Sequence, residues 1–80
     1  MQQLRVFAFA QARSLLGLAE QSLDVLPTDT PRVILERIVG NKSEQICSSC
    51  RVAIDLEYRL WDEPVGDASE MAVIPPVSGG

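Results

Sequence analysis

The stretch of this sequence with the most distinctive chemistry is its ending, Pro75-Pro76-Val77-Ser78-Gly79-Gly80. Pro75 and Pro76 have a fixed φ and no amide hydrogen, so they stop a strand and stiffen the chain that leaves it. Gly79 and Gly80 have no Cβ, so they fit a channel too narrow for other residues. A Gly-Gly ending arises by chance in roughly one chain in 200, so the Pro-Pro segment is what makes the signal specific. The stretch predicts a carboxylate presented to the active site of another protein, and the alternative is a floppy tail without function.

A second pattern, Cys47-Ser48-Ser49-Cys50, has the spacing of redox and metal sites. A zinc site needs about four ligands, whereas this sequence has 2 cysteines and no histidine. A thioredoxin-like site needs its first cysteine at the N-terminus of a helix in a βαβ unit, which the surrounding pattern does not predict. We interpret the pair as reduced structural or surface thiols. A zinc site shared between two molecules is the alternative.

The length and the net charge of the chain limit the classes of protein to which it can belong. A chain of 80 residues is one domain. The net charge of −4 disfavours nucleic acid, whose binding needs a basic face, and suits a partner with a basic surface. The apolar run Val6–Ala10 is too short for a membrane span or a signal peptide, and Gln11 and Arg13 interrupt it. We therefore expect a cytoplasmic protein without nucleic-acid or membrane partners.

Hydrophobic periodicity predicts the elements that position the ending. Alternation of apolar and polar residues predicts strands at Gln3–Phe9, Gln21–Leu26, Val52–Glu57, Tyr58–Trp61 and Glu70–Ile74. Helical spacing predicts a short helix at Gln11–Leu16 and a main helix from the Thr30-Pro31 cap to Val39, and the polar segment Asn41–Ser49 allows another helical turn. This order indicates an α+β roll with a mixed sheet of four to five strands, one main helix on one face, and the last strand parallel beside the first. We expect a domain over residues 1–74 and an extended tail over 75–80.

The strand phase also predicts a docking face. Leu4, Val6 and Ala8 point inward in the first strand, so an outward row is formed by Arg5, Phe7 and Phe9. Ala72 and Ile74 flank that row from the last strand, and Tyr58 extends it. Clustered apolar residues beside the root of the tail favour a docking face over the scattered exposed residues that every protein has. Four acidic residues are expected to form a solvated rim that steers basic partners: Glu57, Asp62, Glu63 and Asp67.

At this point the sequence resembles a known family. The stretch Phe9–Arg13, the run Asp67–Pro76 and the ending Val77-Ser78-Gly79-Gly80 are similar to the small subunit of molybdopterin synthase, a ubiquitin-like sulfur carrier. The resemblance covers nearly the whole chain, and the ending from Ile74 onward is its most specific part. It implies a ubiquitin-like β-grasp fold.

The resemblance also implies a chemistry in which the chain is a carrier and not an enzyme by itself. The Gly80 carboxylate, which Gly79 precedes in the sequence, would be adenylated with ATP by a ubiquitin-activating-type adenylyltransferase. The acyl-adenylate would then be converted to a thiocarboxylate. The resemblance implies no cofactor that the chain itself binds stably. The large catalytic subunit would then receive the tail, and the sulfur would attack the cyclic pyranopterin monophosphate. The implied partner-binding residues are Phe7, Phe9, Tyr58, Ala72, Ile74, Pro75, Pro76, Val77 and Ser78.

Other functions use the same kind of ending. A ubiquitin-like modifier conjugated to lysines shares the activation step, and a carrier for thiamine synthesis or tRNA thiolation shares the thiocarboxylate. The Pro-Pro-Val-Ser sequence before Gly-Gly favours molybdenum cofactor synthesis. A plain interaction domain with an accidental Gly-Gly is the remaining class.

Overall fold

The structure, a computed structural model, describes residues 2–76. The tail positions Val77, Ser78, Gly79 and Gly80 lie outside the described residues, as does Met1. The strands are β1 Gln2–Ala8, β2 Glu20–Val25, β3 Arg51–Ile54, β4 Glu57–Arg59 and β5 Glu70–Ile74. The helices are α1 Ala12–Leu16, α2 Pro31–Val39 and α3 Ser43–Ser49, with a 3-10 turn at Gly40–Lys42 joining α2 to α3.

The five strands form one mixed sheet in the order β2-β1-β5-β3-β4. The first and last strands are parallel neighbours at its centre, with Val6 opposite Met71, whereas the other pairs are antiparallel. Since the helical segment lies between β2 and β3, the topology is the predicted grasp-type roll. The ubiquitin-like β-grasp fold is confirmed.

The core lies between one face of the sheet and the helices. The inward positions of the central strands are buried, as the alternation predicted: Leu4, Val6, Ala8, Val52, Ile54, Met71 and Val73. Helix α2 contributes Ile34 and Leu35, both fully buried. Its start follows the predicted cap, because the Thr30 hydroxyl accepts a hydrogen bond from the Val33 amide (3.2 Å) and Pro31 occupies the first turn.

Helical structure continues beyond the predicted stop. Gly40 adopts a positive φ of 64° and ends α2 as expected, but the 3-10 turn leads directly into α3. Ile46 is buried in the core, and Ser43, three residues before it, is also buried. The segment looked polar because α3 places few residues in the core. It therefore had too weak a periodicity to be assigned from the sequence.

The prediction for the third strand was wrong at its end. Strand β3 stops at Ile54, and Asp55 and Leu56 form a two-residue turn with φ angles of 48° and 71°. Leu56 is 93% exposed rather than inward, since the turn interrupts the alternation. Strand β4 correspondingly begins at Glu57 and ends at Arg59. Trp61 lies beyond it and donates its indole N–H to the Cys50 carbonyl (3.1 Å).

Candidate functional site

The outer face of the sheet carries a shallow apolar groove. The strand register places four residues in one row across β1, β5, β3 and β4: Phe7, Ala72, Ala53 and Tyr58. The two alanines in the middle are short, so they form a floor between the aromatic side chains at either end. The concavity has a volume of ≈ 470 Å³ and is predominantly apolar. It has the shape and chemistry of a surface that accepts a protruding apolar side chain.

A second row adjoins the groove where the chain leaves the sheet. The Phe9 amide donates to the Val73 carbonyl (3.2 Å), which continues the parallel ladder one residue past β1 and places Phe9 beside Ile74. Phe9 is 48% exposed. After Ile74 the chain passes through half-buried Pro75 to exposed Pro76. The apolar surface is therefore continuous with the root of the tail.

The structure brings the sequence-predicted residues Phe7, Phe9, Tyr58, Ala72 and Ile74 together around this groove. Sequence reasoning missed four further lining residues: Ala53, Asp55, Leu56 and Glu70. The strand register would have found Ala53, because it lies directly opposite Ala72 and Tyr58. Leu56 was missed because the predicted strand phase turned it inward.

Charged side chains bound the groove at its two ends. At the end away from the tail, Arg5 lies 3.6 Å from Glu20 and 3.9 Å from Glu70. Its guanidinium carbon also lies 5.8 Å from the centre of the Phe7 ring. At the end near the tail, Arg51 lies opposite Ile74 and 5.4 Å from the centre of the Tyr58 ring. These cation–π contacts hold the aromatic walls without filling the groove.

The predicted acidic rim is partly engaged inside the molecule. Asp62 accepts two hydrogen bonds from the Arg32 guanidinium, and the shorter one joins Nε to Oδ1 at 2.7 Å. The hydrogen bonding to Arg32 lowers the pKa of the Asp62 carboxyl. Glu63 accepts from the Leu60 amide (3.1 Å) and lies 3.8 Å from Arg59. Asp62 and Glu63 thus close the loop after β4, which limits their use in steering a partner.

The two cysteines lie at the C-terminal end of α3. Cys50 is 6% exposed and belongs to the core, whereas Cys47 is half-buried. Burial raises the pKa of the Cys47 thiol, which disfavours the reactive thiolate. Within residues 2–76, no three histidine, cysteine or acidic side chains are grouped closely enough to hold a metal ion. This environment supports structural thiols.

Among residues 2–76, no helix has the length and apolar character that crossing a membrane requires.

Comparisons with known sequences identify the family of the chain. A family model described as the ThiS family matches residues 6–80. The molybdopterin synthase sulfur carrier subunit of Chlamydomonas reinhardtii is 32% identical over 82 residues, covering 98% of this chain and 99% of the relative. The protein of the same name from Arabidopsis thaliana is 31% identical over 80 residues, covering 98% of this chain and 83% of the relative. The resemblance stated from the motifs is confirmed.

Solved structures share the fold. A putative molybdopterin converting factor, subunit 1, from Pyrococcus furiosus has a TM-score of 0.71 and 24% identity, covering 96% of this chain and 100% of that one. SAMP1 from Haloferax volcanii, a small archaeal modifier protein, has a TM-score of 0.73 and 23% identity, and the match covers 99% of this chain and 100% of that one. The family model over residues 6–80 and the relatives at 31% and 32% identity lead to one conclusion: the chain belongs to the ThiS family.

Proposed function

We propose that this chain is the sulfur carrier of molybdopterin synthase and that it delivers sulfur from its C-terminal glycine. The observation that carries the proposal is the apolar groove that runs to the root of a Pro-Pro-Val-Ser-Gly-Gly ending. The names of the relatives favour the same function over other uses of a Gly-Gly ending. Fold alone would not separate a carrier from a protein modifier, because the function depends on the tail and its partner.

The proposed chemistry begins with activation of the Gly80 carboxylate. A carboxylate is a poor electrophile because its leaving group would be oxide. Attack of a carboxylate oxygen on the α-phosphorus of ATP, in an adenylyltransferase of the ubiquitin-activating type, releases pyrophosphate and forms an acyl-adenylate. A donor of a sulfide equivalent then displaces AMP from the acyl carbon. The product is a thiocarboxylate, whose sulfur is a soft nucleophile at neutral pH.

Delivery of the sulfur takes place in the large catalytic subunit. The thiocarboxylate sulfur attacks a carbon of the cyclic pyranopterin monophosphate, where a C–S bond forms as a C–O bond breaks and the oxygen leaves as a phosphate oxygen or as water. Hydrolysis of the acyl–sulfur bond then leaves sulfur on the precursor and returns the Gly80 carboxylate. A dithiolene contains two sulfurs, so two loaded carriers complete one product. The partners supply the acid–base groups, while this chain supplies the covalent handle and the surface that positions it.

The docking surface of the proposed complex is the groove with its second row. Phe7 and Tyr58 offer aromatic walls, Ala72 an open floor, and Phe9 and Ile74 an apolar border beside Pro75. Aromatic residues, tyrosine among them, are enriched in protein interfaces and among their binding hot spots. We propose that both the activating enzyme and the large subunit use this surface, while residues Pro76–Gly80 enter their active sites.

Intact mass spectrometry tests the carrier function directly. The chain is incubated with the cognate activating enzyme, ATP and a sulfide source, and the expected product has one oxygen replaced by sulfur. Omission of ATP is the matched control and should leave the mass unchanged. Accumulation of the acyl-adenylate alone, or of adducts on lysine side chains, would contradict the carrier and favour a protein modifier.

The cysteine pair gives a further prediction. The variant with Cys47→Ser and Cys50→Ser should form the thiocarboxylate at the wild-type rate, because the Cys47 thiol has a raised pKa and Cys50 is buried. Its melting temperature should fall, since Cys50→Ser buries a hydroxyl at a cost of about 1–3 kcal/mol. Cys47→Ser alone is the control with little loss of stability. Loss of thiocarboxylate formation in a double variant that remains folded by circular dichroism would show that the thiols take part.

A further inference from the structure

The turn between β3 and β4 carries an unusual leucine. Leu56 has a φ of 71°, in the left-handed region that branched side chains rarely adopt, and its residue surface is 93% exposed. Two-residue hairpin turns with positive φ at both positions favour Asn-Gly or Asp-Gly. Asp55 fits that preference, whereas Leu56 does not. Neither burial within the described chain nor backbone preference accounts for leucine here.

The turn is nevertheless held firmly. The Asp55 amide donates to the Glu70 carbonyl (3.0 Å), and the Asp55 carboxylate accepts from the Ser69 and Glu70 amides (3.0 Å each). These bonds tie the hairpin to the start of the central strand β5. Unfavourable backbone conformations persist only where the surrounding structure fixes them, and they concentrate at functional sites. The backbone of the turn is therefore fixed, and the Leu56 side chain is exposed to solvent from it.

That position is the rim of the apolar groove. Leu56 contributes to the lining together with Tyr58 from the adjacent strand and Phe7 from the far side. An exposed leucine that is fixed beside an apolar depression gains free energy when a partner covers both at once. Because the groove continues to the root of the tail, a protein that receives the tail also reaches this rim.

We propose that Leu56 is a docking anchor that enters an apolar pocket of the large catalytic subunit when the carrier binds. The inference rests on the proposed function. The turn already holds the backbone at Leu56 in one conformation before contact, so docking restricts mainly the rotamers of a single side chain. The leucine thereby lowers the stability of the free carrier, because of its positive φ, and raises the affinity of the carrier for its partner.

The test measures the affinity of the carrier for the large subunit by calorimetry and its melting temperature on the same samples. Leu56→Gly removes the side chain and suits the positive φ. We expect its dissociation constant to rise at least tenfold and its melting temperature to rise by ~4 °C. Leu56→Ala should lose the same affinity, which assigns the loss to the side chain rather than to a more flexible turn.

Two controls match this pair. Leu60 is another exposed leucine, at 71%, and does not line the groove, so Leu60→Ala should leave the affinity unchanged. Ala10 also has a positive φ, of 50°, so Ala10→Gly should raise the melting temperature without changing the affinity. Leu60→Ala shows the effect of losing exposed apolar surface alone, and Ala10→Gly shows the effect of relieving backbone strain alone. A loss of affinity seen only in the Leu56 variants is then assigned to the anchor.

The outcomes distinguish the anchor from the carrier function. If the wild-type chain binds the large subunit and both Leu56 variants bind equally well, the anchor is overturned while the carrier function stands. If the wild-type chain does not bind, the proposed function fails and the anchor fails with it. Self-association of the wild-type chain that Leu56→Ala abolishes, with affinity for the large subunit unchanged, would assign the leucine to a second copy and overturn the proposal.

Discussion

Deletion of Gly80 is expected to abolish sulfur delivery without changing the stability of the domain. Removal of one residue withdraws the carboxylate by up to ~3.5 Å, beyond the tolerance of a reaction that needs aligned atoms. Addition of one alanine after Gly80 should be equally damaging, because it displaces the acyl group past the adenylation site. The measurement is product formation by the complete synthase, including the activating enzyme, with each variant.

Thermal melts of the same variants separate chemistry from folding. The buried core described in the structure extends from Leu4 to Val73, and β5 ends at Ile74, so the melting temperatures should agree with that of the wild type. Gly79→Val is a third variant, in which a β-branched side chain obstructs a channel shaped for bare backbone. Full activity of the chain with the added alanine would refute the carrier mechanism, unless mass spectrometry showed that the extra residue had been removed.

Phe9→Glu is expected to weaken docking far more than folding. Phe9 lies on the outer face and is 48% exposed, so the fold tolerates a charge there. In a complex, the carboxylate would be buried against an apolar surface without a partner, at a cost of about 3 kcal/mol, which is a factor of roughly 100 in the dissociation constant. Calorimetry with the large subunit measures this change, and circular dichroism verifies the fold.

The chain offers a closely matched control for this substitution. Leu26 is also 48% exposed but directly follows β2 and does not line the groove. Leu26→Glu introduces the same charge and removes a similar apolar surface, so it should bind the large subunit as the wild type does. Equal losses in both variants would point to net charge, and unfolding of Phe9→Glu would place the residue in the core instead of at the docking face.

The parts of the fold that the sequence predicted well are those with strong local signals. Strand β5 was predicted residue for residue, because Met71 and Val73 alternate with outward neighbours and two prolines stop the ladder. The start of α2 was equally clear from Thr30 and Pro31, whose cap and fixed φ specify the first turn. The parallel pairing of β1 with β5 was expected because a helix that crosses back onto the sheet allows the last strand to lie beside the first.

The parts that were missed depend on contacts distant in sequence. The Asp55-Leu56 turn follows from hydrogen bonds between Asp55 and residues Ser69 and Glu70, so alternation alone extended β3 too far. Helix α3 has only two buried residues, Ser43 and Ile46, so the sequence pattern predicts no more than a helical turn there. For the site, the sequence predicted which apolar residues face outward. It did not reveal that Ala53 and Ala72 lie opposite each other and open the floor of a groove.

The parallel pairing of β1 with β5 has a consequence for how the protein is made. Contacts such as Val6 with Met71 join the two ends of the sequence, so the sheet closes only after almost the whole chain has been synthesised. Such long-range pairing makes folding slow compared with local helix formation. A chain interrupted before Glu70 lacks the central strand and with it the docking groove. Under the proposed function, an enzyme that recognises this surface would bind only chains in which β5 has been synthesised and paired with β1.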